Sequence, residues 1–381
     1  MSPHSISSIR SYDQMKFMDR AMNFSWLYLF LITAIAGVGY LALYSAAGGH
    51  PDPWAMKHAI RFCAGVVGLV IVSMIDLKIW YRYAYVFYAA CFILLVGVAL
   101  FGKMGMGAAR WVDLGFVRLQ PSEIMKIAVI LALARYFHNV PPEGVNNIRT
   151  LIPPILMAII PAALVYFQPD LGTCLMIIVI AAIIFFLTGL SYIIVGSAIA
   201  LAAAAMPIAW HFMHDYQRKR VLTFLNPESD PLGSGYHITQ SKIALGSGGV
   251  SGKGYLQGTQ SHLNFLPEKQ TDFIFTLLAE EWGFIGGCAI LFLFILIMLY
   301  GYMMAFRNQS AFGRILTLGL TTNFLLYVFV NISMVMGLIP VVGVPLPMIS
   351  NGGSAMLAAL FGFGLIMCAY VHRDYKFRRN L

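Results

Sequence analysis

The feature that most constrains this chain is the recurrence, over nearly its whole length, of apolar runs close to the length of a bilayer crossing. They lie at Trp26 to Ala47, Ala59 to Ile75, Tyr83 to Phe101, Ile124 to Phe137, Leu151 to Phe167, Cys174 to Leu190, Ile193 to Met213, Phe273 to Phe306, Ile315 to Leu338 and Ala355 to Val371. In hydrocarbon every backbone N–H and C=O must be paired within the segment, and a helix does this for one run alone. The expectation is an all-α polytopic membrane protein of about ten transmembrane helices. Only 11% of the 381 residues are charged and 59% are apolar, against about 25% charged in an ordinary soluble domain. A soluble core, a coiled coil and a disordered chain are thereby excluded.

The expected organisation is a segment 1–24, one membrane domain 25–371 and a basic tail 372–381, with a long loop 214–272 between the seventh and eighth helices. The first run is too long for a signal-peptide core and is expected to stay in the mature protein. Lys and Arg number 25 against 16 Asp and Glu, a net +9, but they are scattered between apolar runs, so anionic lipid is the expected partner and nucleic acid is not. Long loops translocate largely regardless of charge. With that loop set aside, the cations concentrate on the side of the two termini, which are both expected in the cytoplasm. The five cysteines lie in or beside apolar runs without Cys-x-x-Cys spacing and read as packing residues.

A charge inside an apolar span costs at least about 2.5 kcal/mol on insertion scales, so each one needs a partner, a cavity or a function. Glu123 and Lys126 share one face of the fourth run, just after Arg110-Trp111 and Pro121-Ser122. They read either as a mutually neutralised pair or, with Arg110, as a cluster for an anionic phosphate group. Lys103 and Arg118 read as headgroup anchors. Asp170, in Gln168-Pro169-Asp170-Leu171-Gly172-Thr173, is either a helix cap or a second polar site. The segment Ser350-Asn351-Gly352-Gly353-Ser354 follows Pro340, Pro345 and Pro347, so the chain there is a turn or a cavity-lining segment rather than a helix. In the long loop, Gly246 to Gly254 matches neither phosphate-loop pattern, and no nucleotide is expected. Asp272 stands where polar sequence turns apolar, as an N-cap or a functional acid, and Glu280 and Glu281 follow about two turns later.

Five motifs in order resemble the SEDS family (shape, elongation, division and sporulation), and within it the RodA-like branch. They are Gln120-Pro121-Ser122-Glu123-Ile124-x-Lys126, the Gln168 to Thr173 segment, Gly235 to Lys242 including Gln240, Leu266-Pro267-Glu268-x-x-Thr271-Asp272-Phe273-Ile274-Phe275 with Lys269 inside it, and Ser350 to Ser354. The resemblance implies a peptidoglycan glycosyltransferase at the outer face of a bacterial inner membrane. It would polymerise lipid II, the donor being an undecaprenyl-pyrophosphate-linked glycan. Asp272 then falls on the family's essential aspartate, Glu123 and Lys126 on its polar pair, and Asp170 on another acidic position. Substrate or pyrophosphate binding is expected of Arg110, Lys126, Glu123 and Asp170, and of Gln240, Lys269, Ser350, Asn351 and Ser354 in the matched motifs. Gln270 stands where many relatives carry His. The implied partners are a class B penicillin-binding protein, which supplies the transpeptidase, and other membrane proteins of the elongation complex.

Glycan transfer requires a base for an acceptor hydroxyl and positive charge for a leaving pyrophosphate. Asp272 could serve as that base, helped by a raised pKa if Glu280 lies close, or as a ligand to Mg2+ or Mn2+, with Arg110 and Lys126 as the clamp. A precursor flippase or a non-catalytic scaffold are the competing readings. A flippase needs polar residues through the whole depth of the bundle, whereas these charges gather towards one face, which favours the polymerase.

Overall fold

Each apolar run is helical in the computed structural model, which describes residues 17–101, 111–113, 118–213, 215–230, 233–262 and 268–377. A short α1 (Phe17–Asn23) leads into α2 (Trp26–Ala46), α3 (Ala55–Met74) and α4 (Leu77–Phe101). A two-stranded hairpin pairing Val112–Asp113 with Arg118–Leu119 precedes α5 (Pro121–Asn139), α6 (Ile148–Phe167), α7 (Leu171–Leu187) and α8 (Tyr192–Phe212). The expected long loop contains α9 (Asp215–Leu225), α10 (Ser234–Ser247) and α11 (Thr259–His262), and the chain ends with α12 (Ile274–Phe306), α13 (Ala311–Val335) and α14 (Gly353–Val371). Several helices start before their apolar runs because polar caps recruit the preceding residues: Asn147 accepts from the Arg149 N–H, Asp170 from Thr173 and Ser310 from Gly313.

By length and composition, seven of these helices can cross a membrane, and α7 and α8 are shorter apolar stretches. The remaining one, α5, carries Glu123, Lys126 and Arg135, yet from Pro121 to Ala134 all its residues except Ile124 are buried. It packs against α4, α6, α7, α13 and α14, so among the helices of the ten apolar runs the most charged is enclosed by protein, as the cost of charge in lipid requires. The apolar stretches of α13 and α14 are 72% buried and those of α3 and α4 only 22%, which separates an inner group of helices from an outer one facing lipid. None of the described side chains of α8 is buried. Hydrogen bonds hold it near its C-terminal end, from Tyr166 Oη to the Phe212 carbonyl and from Arg218 to the carbonyls of Trp210 and His211.

The two ends of the described chain meet at one face, the terminal face, where Arg20 bonds the Met74 carbonyl and Arg373 donates to Asn23 Oδ1 at 3.1 Å. The opposite face, the loop face, carries α9 to α11.

The eighth run is not one straight helix. Gly283 lies at φ 67°, ψ −165°, which interrupts α12. The lower part, Phe284 to Phe306, is about 34 Å long at 1.5 Å per residue and suffices to cross a bilayer. Phe284 and Ile285 are 70% and 63% exposed, whereas Ile274 to Glu281 are buried. The upper part is therefore a half-helix covered by protein at the loop face, which places Glu280 and Glu281 outside the apolar phase in which a straight helix would put them.

The break leaves backbone groups without helical partners, and the glycine-rich loop supplies them. Phe284 N–H donates to the Gly249 carbonyl at 2.9 Å and Ile285 N–H to Val250 at 3.1 Å. In the other direction Lys253 N–H donates to the Glu280 carbonyl at 3.1 Å and Gly254 N–H to Glu281 at 3.0 Å. Approach this close needs glycine: a Cβ on Gly252, which sits at φ +81°, would collide with the Glu281 carbonyl. A side chain in that region of backbone space costs about 1–2 kcal/mol before any collision. Gly252→Ala should therefore lower the melting temperature of the detergent-solubilised protein. Gly246→Ala, a helical position with nothing within 4 Å of the added carbon, should leave it unchanged or raise it; equal melting temperatures for the two variants would contradict the interlock.

Candidate active site

Asp272 lies at the loop face in a turn running from Glu268 to Phe273. The turn is closed by the Thr271 N–H on the Glu268 carbonyl at 3.0 Å and by Thr271 Oγ1 on Glu268 Oε2 at 2.9 Å. The Pro-rich segment after α13 clasps this turn. Ser350 Oγ donates to the Thr271 carbonyl and accepts from the Leu346 N–H, and the Asn351 N–H donates to the Gln270 carbonyl at 2.8 Å. Asn351 Oδ1 in turn accepts from Arg61 Nη1 of α3 at 3.1 Å. From α13, the fully buried Asn331 donates its amide to the carbonyls of Asp272 (2.9 Å) and Val344 (2.7 Å), joining turn and segment. Ser350 and Asn351 thus position backbone, and the segment they belong to is a non-helical strap, held by hydrogen bonds that proline cannot supply itself.

The strap also brings Gly343 against the acid: a carbon added there would lie 3.5 Å from Asp272 Oδ2. Arg220, on α9, reaches over the strap to the Val342 carbonyl at 3.5 Å. Burial pushes the Asp272 carboxyl up to about 6, the negative charge of Glu268 adds to the rise and the Arg220 guanidinium opposes it. The acidic neighbour is therefore Glu268 rather than Glu280, whose carboxylate is bonded to Lys253. Nor does Asp272 cap α12: Phe273 occupies the N-cap position without a side-chain bond, so the dipole that would weaken a capping aspartate as a base acts less directly on it. Lys269, one turn before, is itself buried, and burial lowers its pKa.

Beside Asp272, Arg220 and Gln217 edge an apolar cavity of about 360 Å³ between α7, α13, α9 and the strap, lined by residues such as Leu175, Val179, Leu326 and Val330. A cation at the mouth of an apolar channel suits an amphiphile with a long hydrocarbon tail and an anionic head. On the other flank, Ser354 and Gln120 line a smaller apolar groove of about 190 Å³ with Phe87 and Phe361. Gln240 sits partly buried on α10, beside Ser241, which bonds Thr276 Oγ1 of the half-helix at 2.8 Å.

The remaining candidates form two further groups. Asp170 caps α7 through Thr173 N–H (3.1 Å) and Thr173 Oγ1 (3.0 Å), and also accepts from Gln120 Nε2 at 3.1 Å. Lys126 Nζ is 2.8 Å from Glu123 Oε1, and Tyr327 of α13 bonds both side chains. With Lys126 1% and Glu123 7% exposed, this is a closed pair, and the cation whose charge acts on Asp272 is Arg220. Arg110 lies outside the described residues. Among those described, no three His, Cys, Asp or Glu side chains gather as a metal site. Asp272 and Glu268 offer two carboxylates, the number with which Mg2+ commonly binds when substrate phosphates complete its shell.

Removing one member of a buried ion pair costs about 3–5 kcal/mol, while replacing both is far milder. Lys126→Met should reduce the folded fraction in detergent sharply, and adding Glu123→Gln should restore most of it. Purely additive losses in the double variant would show that the pair is not coupled.

A family model described as cell cycle protein, spanning FtsW, RodA and SpoVE, matches residues 21–375. Peptidoglycan glycosyltransferase MrdB of Escherichia coli K12 is 48% identical over 348 residues, 91% of this chain and 93% of that protein. Peptidoglycan glycosyltransferase RodA of Treponema pallidum is 30% identical over 421 aligned positions, 91% of this chain and 97% of that protein. Among solved structures, a chain from work on the structural coordination of polymerization and crosslinking by a peptidoglycan synthase complex superposes with a TM-score of 0.80 at 29% identity, covering 92% of this chain and 98% of that one. The rod shape determining protein RodA of Thermus thermophilus gives 0.70 at 26% identity, covering 92% and 98%. With a family model matched from Ala21 to Tyr375, past the end of the last helix, and a relative 48% identical over most of both chains, the chain belongs to the FtsW, RodA and SpoVE family of cell cycle proteins.

Proposed function

We propose that this chain is a peptidoglycan glycosyltransferase that polymerises lipid II into glycan strands during cell elongation. The observation that carries the reading is the juxtaposition at the loop face: a carboxyl pushed up to about 6, the charge of Arg220 acting on it, and an apolar cavity with Arg220 at its edge. The named activity of its relatives supports the same conclusion. In this reading the chain crosses the bacterial inner membrane ten times, with the terminal face in the cytoplasm and the loop face in the periplasm.

The reaction joins an acceptor sugar hydroxyl to the anomeric carbon of a donor whose pyrophosphate departs. A carboxylate with a pKa near 6 is ionised at neutral pH yet more basic than an ordinary aspartate, which suits it to remove the hydroxyl proton as the new bond forms. Arg220 pairs with the departing pyrophosphate through its planar guanidinium, which can donate two hydrogen bonds to phosphate oxygens. The cavity beside it takes the undecaprenyl chain. The alternative role for Asp272 is as a ligand: with Glu268 it would hold a divalent ion, Mg2+ or Mn2+, which would supply positive charge against the leaving group, and Asp272 would then not act as the base. The transpeptidase partner, a class B penicillin-binding protein, and further elongation-complex proteins complete the assembly, in keeping with the synthase complex to which the fold is similar.

Asp272→Asn keeps the size of the side chain and the backbone carbonyl that Asn331 holds. It should leave a folded protein that binds its partner while polymerisation of purified lipid II falls by about 10²-fold or more, the usual contribution of a general base. Undiminished polymer from this variant would remove Asp272 from the mechanism. Because the base works only when deprotonated, kcat/KM should rise about tenfold per pH unit below the value near 6 and level off above it; a profile flat from pH 5 to 7 would contradict the assignment.

A further inference from the structure

The half-helix that begins just after Asp272 is cut off from its own membrane span at Gly283, so something other than helix continuity must fix its direction. At its start the strap and Asn331 hold the backbone. At its far end stands a polar contact that the proton-transfer and pyrophosphate roles do not use. Glu280, 0% exposed, accepts through one carboxylate oxygen from Lys253 Nζ at 2.7 Å, from the Gln260 N–H at 3.0 Å and from Thr259 Oγ1 at 3.2 Å. Lys253 belongs to the glycine-rich loop, and the other two donors come from the stretch that follows it. The next residue, Glu281, accepts from Ser45 Oγ at the end of α2. Lys253 also gives its backbone N–H to the Glu280 carbonyl, so one residue grips the same half-helix residue by main chain and side chain together.

A buried ion pair is a poor source of net stability, because the desolvation of both charges offsets most of their attraction, but it is intolerant of misplacement. The four backbone bonds across the break tie loop to helix, and the Glu280 carboxylate with its three donors permits one register between them. We propose that Lys253 and Glu280 are positioning residues for glycan polymerisation: their pairing pins the far end of the half-helix Ile274 to Trp282 and thereby fixes where Asp272, at its near end, is delivered. This rests on the reading of Asp272 as the reactive acid. Neither residue touches the acid itself; they act through the stretch from Phe273 to Ala279, nearly all of it helix, which is anchored by Thr276 on Ser241.

The test uses the full-length protein in complex with its partner and purified lipid II. Lys253→Met removes the charge and the side-chain bond while keeping the aliphatic stem, and Lys253→Arg keeps the charge. The Met variant should be monodisperse, with kcat lowered tenfold or more and KM within twofold. Amide hydrogen exchange should quicken at Gly249 to Gly254 and Glu280 to Ile285, and the Arg variant should regain most of kcat. Glu280→Gln, which keeps an acceptor oxygen but not the charge, should fall between the two. A wild-type kcat for Lys253→Met, or a rise in KM with kcat unchanged, would overturn the proposal, as would a Lys253→Arg variant as slow as Lys253→Met. Asp272→Asn is assayed alongside. If it polymerises normally the assignment of the acid fails, while the exchange rates still report whether the pair holds the half-helix.

Discussion

The structure depends on one intolerance: hydrocarbon will not accept an unpaired charge. The α5 helix bears a carboxylate and an ammonium within one turn of each other, and both must be kept from lipid. They are kept from it by pairing with one another and with Tyr327, and by five neighbouring helices that enclose α5. Placing α5 at the centre determines which helices are inner and which are outer. Because α13 must bring Tyr327 to the pair, one turn further along it also brings Asn331 to the Asp272 turn. The buried pair and the reactive acid are thus registered by the same helix.

Much of this was legible from the chain alone. Long apolar runs can hardly be anything but helices, and Glu123, Lys126, Asp170 and Asp272 stood out because such residues are costly where they occur. Asp170 as a cap and Glu123 with Lys126 as a neutralised pair were among the readings that spacing allowed, since both rest on contacts three residues apart. The break in α12 was not legible. One glycine among many in an apolar run carries no sign that its φ is positive, and the four hydrogen bonds that stabilise the break come from a loop about 30 residues earlier in sequence. For the same reason Glu280 looked like a neighbour of Asp272, when its partner is Lys253.

Long-range partners were the other blind spot. Arg220 lies in a charged run, Arg218-Lys219-Arg220, with nothing nearby in sequence to single it out; only the folded strap shows that Arg220 turns back over Val342. Asn331 offered a better signal, an amide inside the apolar run from Ile315 to Leu338, where a polar side chain must find partners. Ser350 and Asn351 were expected at a substrate, and in the fold the Ser350 hydroxyl and the Asn351 N–H hold backbone of the Gln270–Thr271 turn while the Asn351 side chain meets Arg61. Side chains that shape a site and side chains that touch its ligand look alike in sequence.

The division of α12 at Gly283 also bears on how the protein meets membranes of different thickness. Hydrophobic mismatch is relieved mainly by tilting a crossing helix, and a reactive group rigidly continuous with such a helix would swing whenever the lipid composition changed. Here the crossing from Phe284 to Phe306 is jointed to the half-helix above it, and that half-helix is fastened to the loop and the strap. Because the loop also holds the Phe284 and Ile285 N–H groups, a lean of the lower segment is taken up in the turns below them, while the Asp272 turn is held by Asn331 and the strap rather than by that span.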